Sequence, residues 1–567
     1  MHKFISFRVV ICFALSIPSL TGAAQTIDRP NIVVIYADDL GYGDVSCYNR
    51  ERGNISTPHI DRLAAEGMGF TDGHSSSGVC SPSRYTLLTG RYHWRSRLQS
   101  GIVRLWGGPV IASDRLTVAG LLSQAGYRTS CIGKWHLGWN WPIPAKEKNL
   151  FRSPGRKKDV TATDAHRNAW RKAFSQPIAG GPVTRGFDSY FGTDVPDWPP
   201  FCFIQNDRTI GIPSEFLPAL LVKNNQASDQ GPALAGWKFE PILPMLGERA
   251  DQFIENAAKG SKPFFLYMSL TSPHTPLAVN PQWKGKSGLN TYADFVMETD
   301  AVVGKVLAAL EKSGTADRTL VLFTSDNGCA PYIGVDELEK KGHHPSGPLR
   351  GYKSDVWEGG HRVPFIVRWP GVVKAKSISH QLVHQADLMA TFADIIGASL
   401  PEDAGEDSFS FLPLLKGNES PIREHAISQS FRGLLSVRRG KWKLIAGRGS
   451  GGWTKGQDEH RVFVYGTEPL KGSGGWTKGQ DENRVFLYGT DPLKGSGDWT
   501  KGQDEHPGQL YDLEEDLAEK NNLWIKKSAI TGELIALLEK LVTNGRSTNG
   551  SARKNDVPVK WRRFLSK

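Results

Sequence analysis

The sequence predicts an α/β protein built on a mostly parallel β-sheet, followed by a smaller C-terminal α+β domain. Two observations predict the larger part: strand and helix patterns alternate over roughly 350 residues, and two of the strands run directly into polar residues. A third observation predicts the smaller part, because after about residue 415 the pattern changes to short alternating strands and one amphipathic helix. The chain has 567 residues, of which 39% are hydrophobic, so it is long enough for a large core and more than one domain.

Two apolar runs are the strongest strand predictions, at Asn31 to Tyr36 and at Leu320 to Phe323. Glycines that mark turns follow each run at a short distance. The residues between strand and turn are polar: Asp38, Asp39, Asp326 and Asn327. Ligands bind at the carboxyl ends of the strands in such sheets, so these four side chains are candidate ligand-binding residues.

Helical patterns at Ser56 to Gly67 and Leu116 to Gly126 separate the strands, and further short strands are predicted at Arg128 to Ile132 and Pro263 to Met268. In the C-terminal part, short strands lie in GLLSVRRGKWKLIAG and GQLYDL. The final helix carries one apolar stripe, formed by Ile530, Leu534, Leu537, Leu538 and Leu541. These patterns favour a parallel sheet flanked by helices, with an antiparallel sheet and helix after it.

Residues 1–24 have the features of a secretory signal peptide: Lys3 and Arg8, an apolar run from Val9 to Ile17, and small residues at the end. The mature chain would begin near Gln25. No other apolar run approaches the ~20 residues that a membrane-spanning helix needs. We therefore expect a secreted or periplasmic protein without a transmembrane span, lysosomal or extracellular in a eukaryote. A retained N-terminal anchor is the alternative.

The remaining chain divides into a larger domain of residues 25–415 and a C-terminal subdomain of residues 416–567 with a basic tail. Loss of the leader lowers the formal net charge from +11 to +9, and the tail from Arg553 onward carries +5 of that charge. Basicity is therefore largely a property of the tail. No nucleic-acid-binding motif accompanies it, so we do not expect nucleic acid as a partner.

Residues 449–500 contain a tandem repeat with a period of 23 residues. The unit GSGGWTKGQDEHRVFVYGTEPLK begins at Gly449, recurs with few changes at Gly472, and restarts at Gly495. Two full units are too few for a self-supporting solenoid, so we interpret the repeat as a recent duplication in a surface loop. A sugar-stacking surface is the alternative interpretation of its tryptophans, Trp453, Trp476 and Trp499.

Five cysteines remain after the leader: Cys47, Cys80, Cys131, Cys202 and Cys329. This is an odd number in a compartment that permits disulfides, so at least one thiol is free or chemically modified. Cys80 is the candidate, because it precedes Pro82 at the predicted start of a helix, where free backbone amides favour negative charge. Arg84 follows one turn later on the same helix face. The sequence alone assigns no disulfide pairing to the other four.

Three interpretations of the segment Cys80 to Arg84 compete: a buried structural cysteine, the thiolate of a phosphatase loop, and a cysteine converted to an aldehyde after synthesis. The phosphatase loop needs five residues between cysteine and arginine, and this chain has Thr86 where that arginine would stand. The phosphatase interpretation therefore fails, and the residues alone leave the other two open.

The segment Cys80 to Arg91 resembles the signature Cys-X-Pro-Ser-Arg-X-X-X-X-Thr-Gly-Arg of the type I sulfatases. Further motifs of that family follow in its order between Asn31 and about Pro370: GKWHLG, GFDSYFG, SPHTPL, SDNG and LRGYKSDVWEGGHRVPFIVRWPG. The resemblance implies an alkaline-phosphatase-like α/β fold and places the catalytic domain in residues 25–415. It also implies that Cys80 is oxidised to Cα-formylglycine, whose hydrate is the nucleophile.

The same resemblance implies a divalent cation bound by the residue at position 80 and by four others: Asp38, Asp39, Asp326 and Asn327. An all-oxygen set rich in carboxylates suits Ca²⁺ or Mg²⁺ rather than zinc, and the family favours Ca²⁺. The remaining residues of the implied pocket are Arg84, Lys134, His136, His274 and Lys353.

In the implied mechanism the lysines and the cation neutralise the sulfuryl oxygens, and Arg84 holds the formylglycine hydrate. One hydroxyl attacks sulfur while His274, together with Lys353, protonates the departing oxygen. His136 then removes the proton from the second hydroxyl, and sulfate leaves.

We therefore predict a sulfatase, matured by a formylglycine-generating or anaerobic sulfatase-maturating enzyme. Residues Trp139 to Gly236 are loop-rich, aromatic and partly basic, and we expect them to line the substrate entrance. This composition favours a sulfated carbohydrate, with aryl sulfates as simpler substrates. Two alternatives stay open: a phosphonate or phosphodiester hydrolase of the same superfamily, and a non-catalytic binder of sulfated glycans if Cys80 is not converted.

Overall fold

The structure is a computed structural model that describes residues 29–222, 228–455, 462–463 and 506–565. The predicted leader, residues 1–24, and most of the tandem repeat lie outside the described residues. Among the helices of the described ranges, none is long and apolar enough to cross a membrane.

A ten-stranded sheet organises the larger part of the chain. Its strands are β1 (Asn31–Asp38), β2 (Met68–Phe70), β3 (Arg128–Gly133), β4 (Ser189–Gly192), β5 (Ile204–Gln205), β6 (Arg208–Thr209), β7 (Phe264–Pro273), β8 (Thr319–Ser325), β9 (Phe365–Arg368) and β10 (Ser377–Ser379). The order across the sheet is β10-β2-β9-β8-β1-β7-β3-β4-β5-β6. The central strands β8, β1, β7, β3 and β4 are all parallel, whereas β9 and β5 run antiparallel to their neighbours β8 and β4. The predicted mostly parallel sheet is confirmed.

Helices cover both faces of this sheet. The α-helices are α1 (Pro58–Ala65), α2 (Cys80–Thr89), α3 (Val118–Gln124), α4 (Asp164–Phe174), α5 (Ile242–Ala258), α6 (Thr291–Lys312), α7 (Val335–Lys340), α8 (Glu358–His361), α9 (Leu388–Ile396), α10 (Leu412–Leu415) and α11 (Ser528–Asn544). On β1, Val33 and Ile35 belong to the apolar core with α5 and α6, and Ile32 and Val34 to the core with α2, α3 and α9. Burial on both faces explains why this strand is apolar at nearly every position.

The strand β7 extends five residues beyond the predicted end at Met268. Its last residues are polar and buried, among them Ser269, Thr271 and Ser272. The apolar pattern ends where the side chains leave the core, whereas the pairing with β1 continues as far as Pro273 opposite Asp38. The strand therefore carries the chain directly to the carboxyl end of the sheet.

A four-stranded antiparallel sheet forms the C-terminal part, in the order β11 (His425–Gln429), β12 (Leu435–Arg439), β13 (Trp442–Ile445) and β14 (Gln509–Asp512). Helix α11 packs against it through Leu534, Leu538 and Leu541, which are buried, whereas Ile530 and Leu537 of the predicted stripe are partly buried at its margin. The predicted α+β character is confirmed. The domain boundary after residue 415 stays a prediction.

This small sheet lies directly against the start of α2. The Gly78 amide donates to the Gln429 carbonyl (3.0 Å), and the Phe431 amide donates to the Ser354 carbonyl (2.8 Å). The C-terminal part of the chain is therefore fixed beside the segments that carry Cys80 and Lys353, two of the predicted site residues.

Candidate functional site

The four polar residues predicted at the strand ends lie together at the carboxyl end of the central sheet. β1 and β8 are neighbouring parallel strands, so Asp38 and Asp39 emerge beside Asp326 and Asn327. The Asp39 amide donates to Asp326 Oδ1 (3.1 Å), and Asn327 Nδ2 donates to Asp39 Oδ1 (2.8 Å). All four residues are fully buried.

Three buried cations each contact one of the three carboxylates. The pairs are Arg84 Nη2 with Asp326 Oδ2 (2.7 Å), Lys134 Nζ with Asp38 Oδ2 (2.7 Å) and Lys353 Nζ with Asp39 Oδ2 (2.6 Å). Transfer of an ion from water into a protein interior costs several kcal/mol, so each carboxylate is tolerated here because a cation lies against it.

The surroundings shift the pKa values of Asp38 and Asp326 in opposite directions. Burial alone would raise the pKa of Asp38, but Lys134, His274 and Arg84 outweigh it and hold that pKa well below its usual range. The pKa of Asp326 lies well above its usual range because of burial and the negative charge of Asp38. The cluster therefore accommodates a further positive charge near Asp326.

The oxygen atoms of the cluster fit a divalent cation. Asp38 Oδ1 and Asn327 Oδ1 are buried and accept no hydrogen bond from any described residue, although Arg84 Nη2 lies 3.4 Å from Asp38 Oδ1. Asp38, Asp39 and His274 each offer an atom within 4.8 Å of the others. Buried carboxylate and amide oxygens with unused lone pairs are the ligands that Ca²⁺ and Mg²⁺ prefer.

Cys80 is the first residue of α2, with Val79 in extended conformation before it and Pro82 in the first turn. The helix ends at Gly90, whose positive φ of 63° suits glycine. Cys80 is buried, and its Sγ lies 3.2 Å from His136 Nδ1. No disulfide bond joins any of the five cysteines within the described ranges.

The His136 ring presents a lone pair to residue 80. Its Nε2 donates to the Val103 carbonyl (3.0 Å), which assigns the ring proton to Nε2 and leaves Nδ1 as an acceptor facing Cys80. Burial and the charge of Lys134 lower the pKa of His136 to about 3. The ring is therefore a neutral base whose Nδ1 faces Cys80 Sγ.

His274 follows β7 directly and faces the cluster with its other nitrogen. Its Nδ1 lies 2.5 Å from the Thr275 carbonyl and donates to it, while Nε2 lies 3.6 Å from Asp39 Oδ2. Burial and the charge of Lys353 lower its pKa to about 4. The structure thus brings every predicted site residue into one buried cluster, and their catalytic roles stay predictions.

Sequence reasoning missed Asp197, which lies in the segment predicted to line the substrate entrance. Burial raises the pKa of Asp197 well above its usual range, and Lys134 and Lys353 are the charges that lower it. Neither of its carboxylate oxygens has a hydrogen-bond partner among the described residues. An acid between apolar residues in VPDWPP was the available signal.

The rest of the segment Trp139 to Gly236 lies partly beside the site and partly in the core. The ring of Trp198 packs edge-on to His136, with centroids 5.6 Å apart. Trp139 and Trp170 are instead buried in the apolar cores. The short stretch around Asp197 therefore lies beside the site, whereas these two other tryptophans serve packing, and the substrate entrance stays a prediction.

A second cluster of metal-ligand residue types consists of His74, Glu358 and His361. His74 Nε2 contacts Asp72 Oδ1 (2.8 Å), and its Nδ1 lies 3.1 Å from His361 Nδ1. The surrounding cations are Arg362, Arg438 and Lys443. Because these cations balance its acids, the cluster is an ion-pair network that joins α8 to the C-terminal sheet.

Comparison with known proteins gives a consistent result. A family model described as Sulfatase matches residues 30–398. An N-acetylgalactosamine-6-O-sulfatase of Bacteroides thetaiotaomicron is 32% identical over 541 residues, covering 92% of this chain and 94% of that protein. Human arylsulfatase A is 32% identical over 419 residues, covering 73% and 74% of the two chains. A structure solved in work on glycosaminoglycan metabolism by B. thetaiotaomicron superimposes with a TM-score of 0.71 at 30% identity, covering 91% and 99% of the two chains.

The substitution Asp197→Asn tests whether this carboxylate is held at a cost to stability. An acid whose folded pKa is raised loses stability as the pH rises from the unfolded pKa toward the folded one. The amide side chain of the variant does not titrate, so the variant does not lose this stability as the pH rises. We therefore expect the thermal midpoint of the variant to exceed that of the wild type by about 2 °C at pH 7.5 and to match it near pH 4. Differential scanning calorimetry at both pH values measures the difference.

The matched control is Asp164→Asn, because the Asp164 side chain is 95% exposed. We expect this change to shift the midpoint by less than about 1 °C at either pH. A lower midpoint for Asp197→Asn at pH 7.5 would show that Asp197 stabilises the fold and would contradict the interpretation.

Proposed function

The chain belongs to the sulfatase family, whose members hydrolyse sulfate esters, and from this premise we propose the substrate and the catalytic groups. The substrate is a sulfated carbohydrate, the nucleophile comes from a formylglycine formed at Cys80, and a divalent cation completes the site. The observation that carries the proposal is the position of Cys80, which faces the lone pair of His136 beside three paired cations and carboxylates.

Conversion of Cys80 explains why this thiol is kept in the site. Its signature motif is in register, and Arg84 lies on the same helix face within the cluster. We propose that a formylglycine-generating or anaerobic sulfatase-maturating enzyme oxidises the side chain and removes its sulfur. The hydrate of the aldehyde then supplies one hydroxyl for attack on sulfur and a second hydroxyl whose deprotonation allows sulfate to leave.

The proposed cation ligands are Asp38, Asp39, Asp326, Asn327 and the modified residue 80. The unused oxygens of Asp38 and Asn327 and the raised pKa of Asp326 support this assignment. Ca²⁺ is proposed, with Mg²⁺ as the alternative, because all ligand atoms are hard oxygens. When bound, the cation supplies positive charge next to the sulfuryl oxygens.

The lysine and arginine side chains of the pocket bind different groups. Lys134 and Lys353 are held by Asp38 and Asp39, so their ammonium groups are pre-oriented to bind the oxygens of the sulfate group. Arg84 is held by Asp326 one helical turn after residue 80, and we assign to it the positioning of that residue. Charges that are already oriented need no reorganisation during the reaction, and this lowers the barrier.

The two histidines have opposite roles in proton transfer. His136 Nδ1 faces residue 80 without a proton, so it accepts the proton of a hydroxyl formed there. His274 donates from Nδ1 to the Thr275 carbonyl, so the neutral ring carries no proton on Nε2. Nε2 therefore has to take up a proton, from solvent or from the Lys353 ammonium that shares Asp39 with it, before it delivers one to the departing oxygen. Base and acid thus lie on different loops, after β3 and after β7.

Two observations support a carbohydrate substrate. The relative from B. thetaiotaomicron, similar over nearly the whole length of both chains, is named for N-acetylgalactosamine-6-O-sulfate chemistry. Neither oxygen of Asp197 has a hydrogen-bond partner in the described part of the chain, so both can bind a hydroxyl or amide N–H of a sugar that carries the sulfate. The predicted signal peptide supports action outside the cytoplasm, in the periplasm or the medium.

Sulfate release tests the proposed reaction. We expect the maturated protein to release sulfate from 6-sulfated N-acetylgalactosamine and from an aryl sulfate, and to turn over the matched aryl phosphodiester at least about 100-fold more slowly. Cys80→Ser removes the second hydroxyl on which turnover depends, so sulfate release falls by roughly 1,000-fold or more. Ion chromatography measures the sulfate.

Cys47→Ser is the matched control, since Cys47 is a free cysteine at a partly exposed position, and we expect it to retain wild-type rates. Faster turnover of the phosphodiester would favour the phosphonate or phosphodiester hydrolase alternative. Binding of sulfated glycans with no sulfate release from any ester would favour the non-catalytic binder.

Cation binding is tested without reference to activity. A ligand that binds the folded state stabilises it by about 2.7 kcal/mol at 100 times its dissociation constant, so Ca²⁺ raises the thermal midpoint and a chelator lowers it. Asp38→Asn removes one proposed ligand charge and is expected to weaken the Ca²⁺-dependent shift by at least half. Asp197→Asn, which changes an acid not assigned to the cation, is expected to keep the full shift, and equal loss in both variants would contradict the ligand set.

A further inference from the structure

We propose that Trp453, the first tryptophan of the tandem repeat, forms a platform against which a sugar ring of the substrate stacks at the edge of the site. This inference rests on the proposed function, because it concerns how the sulfated carbohydrate is held. It assigns a substrate-binding role to the C-terminal part of the chain, which the pocket residues described above do not include.

The backbone around Trp453 is docked onto the loop that carries Lys353. The Trp453 amide donates to Ser354 Oγ (2.8 Å) and to Asp355 Oδ1 (3.1 Å). Thr454 Oγ1 donates to Asp355 Oδ2 (2.5 Å), and the Ser354 carbonyl accepts from Phe431. The position of Trp453 is therefore set by the two residues that follow Lys353.

The docking also requires glycine before the tryptophan. A Cβ atom at Gly452 would lie 2.4 Å from Asp355 Oδ1 and 2.5 Å from the Ser354 carbonyl carbon. The second copy of the repeat keeps glycine at the equivalent position, Gly475, whereas the third has Asp498. The sequence of the third copy therefore does not fit this contact, and that of the second does.

The indole ring lies next to a site lysine. Lys353 Nζ is 6.0 Å from the centroid of the Trp453 ring, within the range of a cation–π contact. The same Nζ contacts Asp39 inside the cluster. A sulfate bound by Lys353 would therefore have this aromatic ring beside it.

Two further aromatic rings hold Trp453 in place. Phe431 is buried and lies 5.7 Å from it, and Tyr332 lies 6.0 Å from it, measured between ring centroids. Trp453 and Tyr332 are both partly exposed, so this pair stands where the buried site meets solvent. The Tyr332 phenol lies within electrostatic range of Lys353, Asp39 and Asp197, which places it on the site side of the pair.

This arrangement fits a pyranose ring. Aromatic side chains combine a large apolar face with a rigid position, and the C–H face of a sugar packs well against such a surface. The sulfate of the same sugar would bind Lys353, and a hydroxyl or amide N–H would reach Asp197. Trp453 therefore contributes to affinity for the carbohydrate and not to proton transfer.

The test compares pairs of tryptophan substitutions in the full, maturated chain. Trp453→Ala is combined with Trp476→Ala, because the second copy of the docking sequence must be prevented from replacing the first. The matched control, Trp476→Ala with Trp499→Ala, also removes two tryptophans but keeps Trp453. A rescue variant combines Trp453→Phe with Trp476→Ala. The substrate is a 6-sulfated N-acetylgalactosamine-containing disaccharide.

We expect the Trp453 and Trp476 double variant to raise the KM for the disaccharide about tenfold, with kcat within about threefold of the wild type. The rescue variant is expected to recover most of that loss, and the control to match the wild type. An unchanged KM in the first variant would overturn the inference. So would a loss of kcat and thermal midpoint at constant KM, because this result describes a purely structural tryptophan.

Equilibrium binding separates this inference from the proposed function. Isothermal titration calorimetry with the same disaccharide is carried out in a Cys80→Ser background, in which no turnover is needed. A Kd that is ten times higher after loss of Trp453 would support the platform. This conclusion would stand even if the wild type released no sulfate, because the lack of sulfate release would overturn only the proposed reaction. An unchanged Kd would overturn the platform while sulfate release by the wild type still supported the reaction.

Discussion

The compensation of buried charge at the carboxyl end of the central sheet is the constraint on which the rest of the site depends. Asp38, Asp39 and Asp326 are fully buried, and a charged carboxylate in a protein interior is costly unless a cation lies against it. Arg84, Lys134 and Lys353 provide that opposition from three separate elements, namely α2, the loop after β3 and the loop before α8. The same contacts that make the acids tolerable orient the cations for an anionic substrate.

The fold supplies these groups because parallel strands release their following residues on the same side of the sheet. β1 and β8 deliver the acids, β3 delivers Lys134 and His136, and β7 delivers His274 through its polar extension. The C-terminal sheet then packs beside α2 and places Trp453 against the loop of Lys353. The smaller part of the chain thus borders the site that the larger part builds.

The sequence predicted the residues whose signal is local. The strands β1 and β8 are apolar runs that end in acids, and the segment from Cys80 to Arg84 carries its own pattern of spacing, so both were recognisable without a structure. Asp197 was not recognisable, because its acid is notable only once the structure shows it buried with no hydrogen-bond partner for its carboxylate among the residues described. For the repeat, the sequence left a sugar-stacking surface only as the alternative to a duplicated surface loop. It could not show that Trp453 lies beside the site, because the contact with Asp355 joins residues almost 100 positions apart and no sequence period records it.

The chemical state of residue 80 tests the proposed reaction most directly, since the nucleophile is assigned to this residue and His136 faces it. The measurement is a mass spectrum of the tryptic peptide from Leu63 to Arg84, taken from protein produced in a host that contains the maturating enzyme. We expect residue 80 to have lost one sulfur and two hydrogens and to have gained one oxygen. An intact thiol in protein that nevertheless releases sulfate would contradict the proposed reaction, because another group would then have to be the nucleophile.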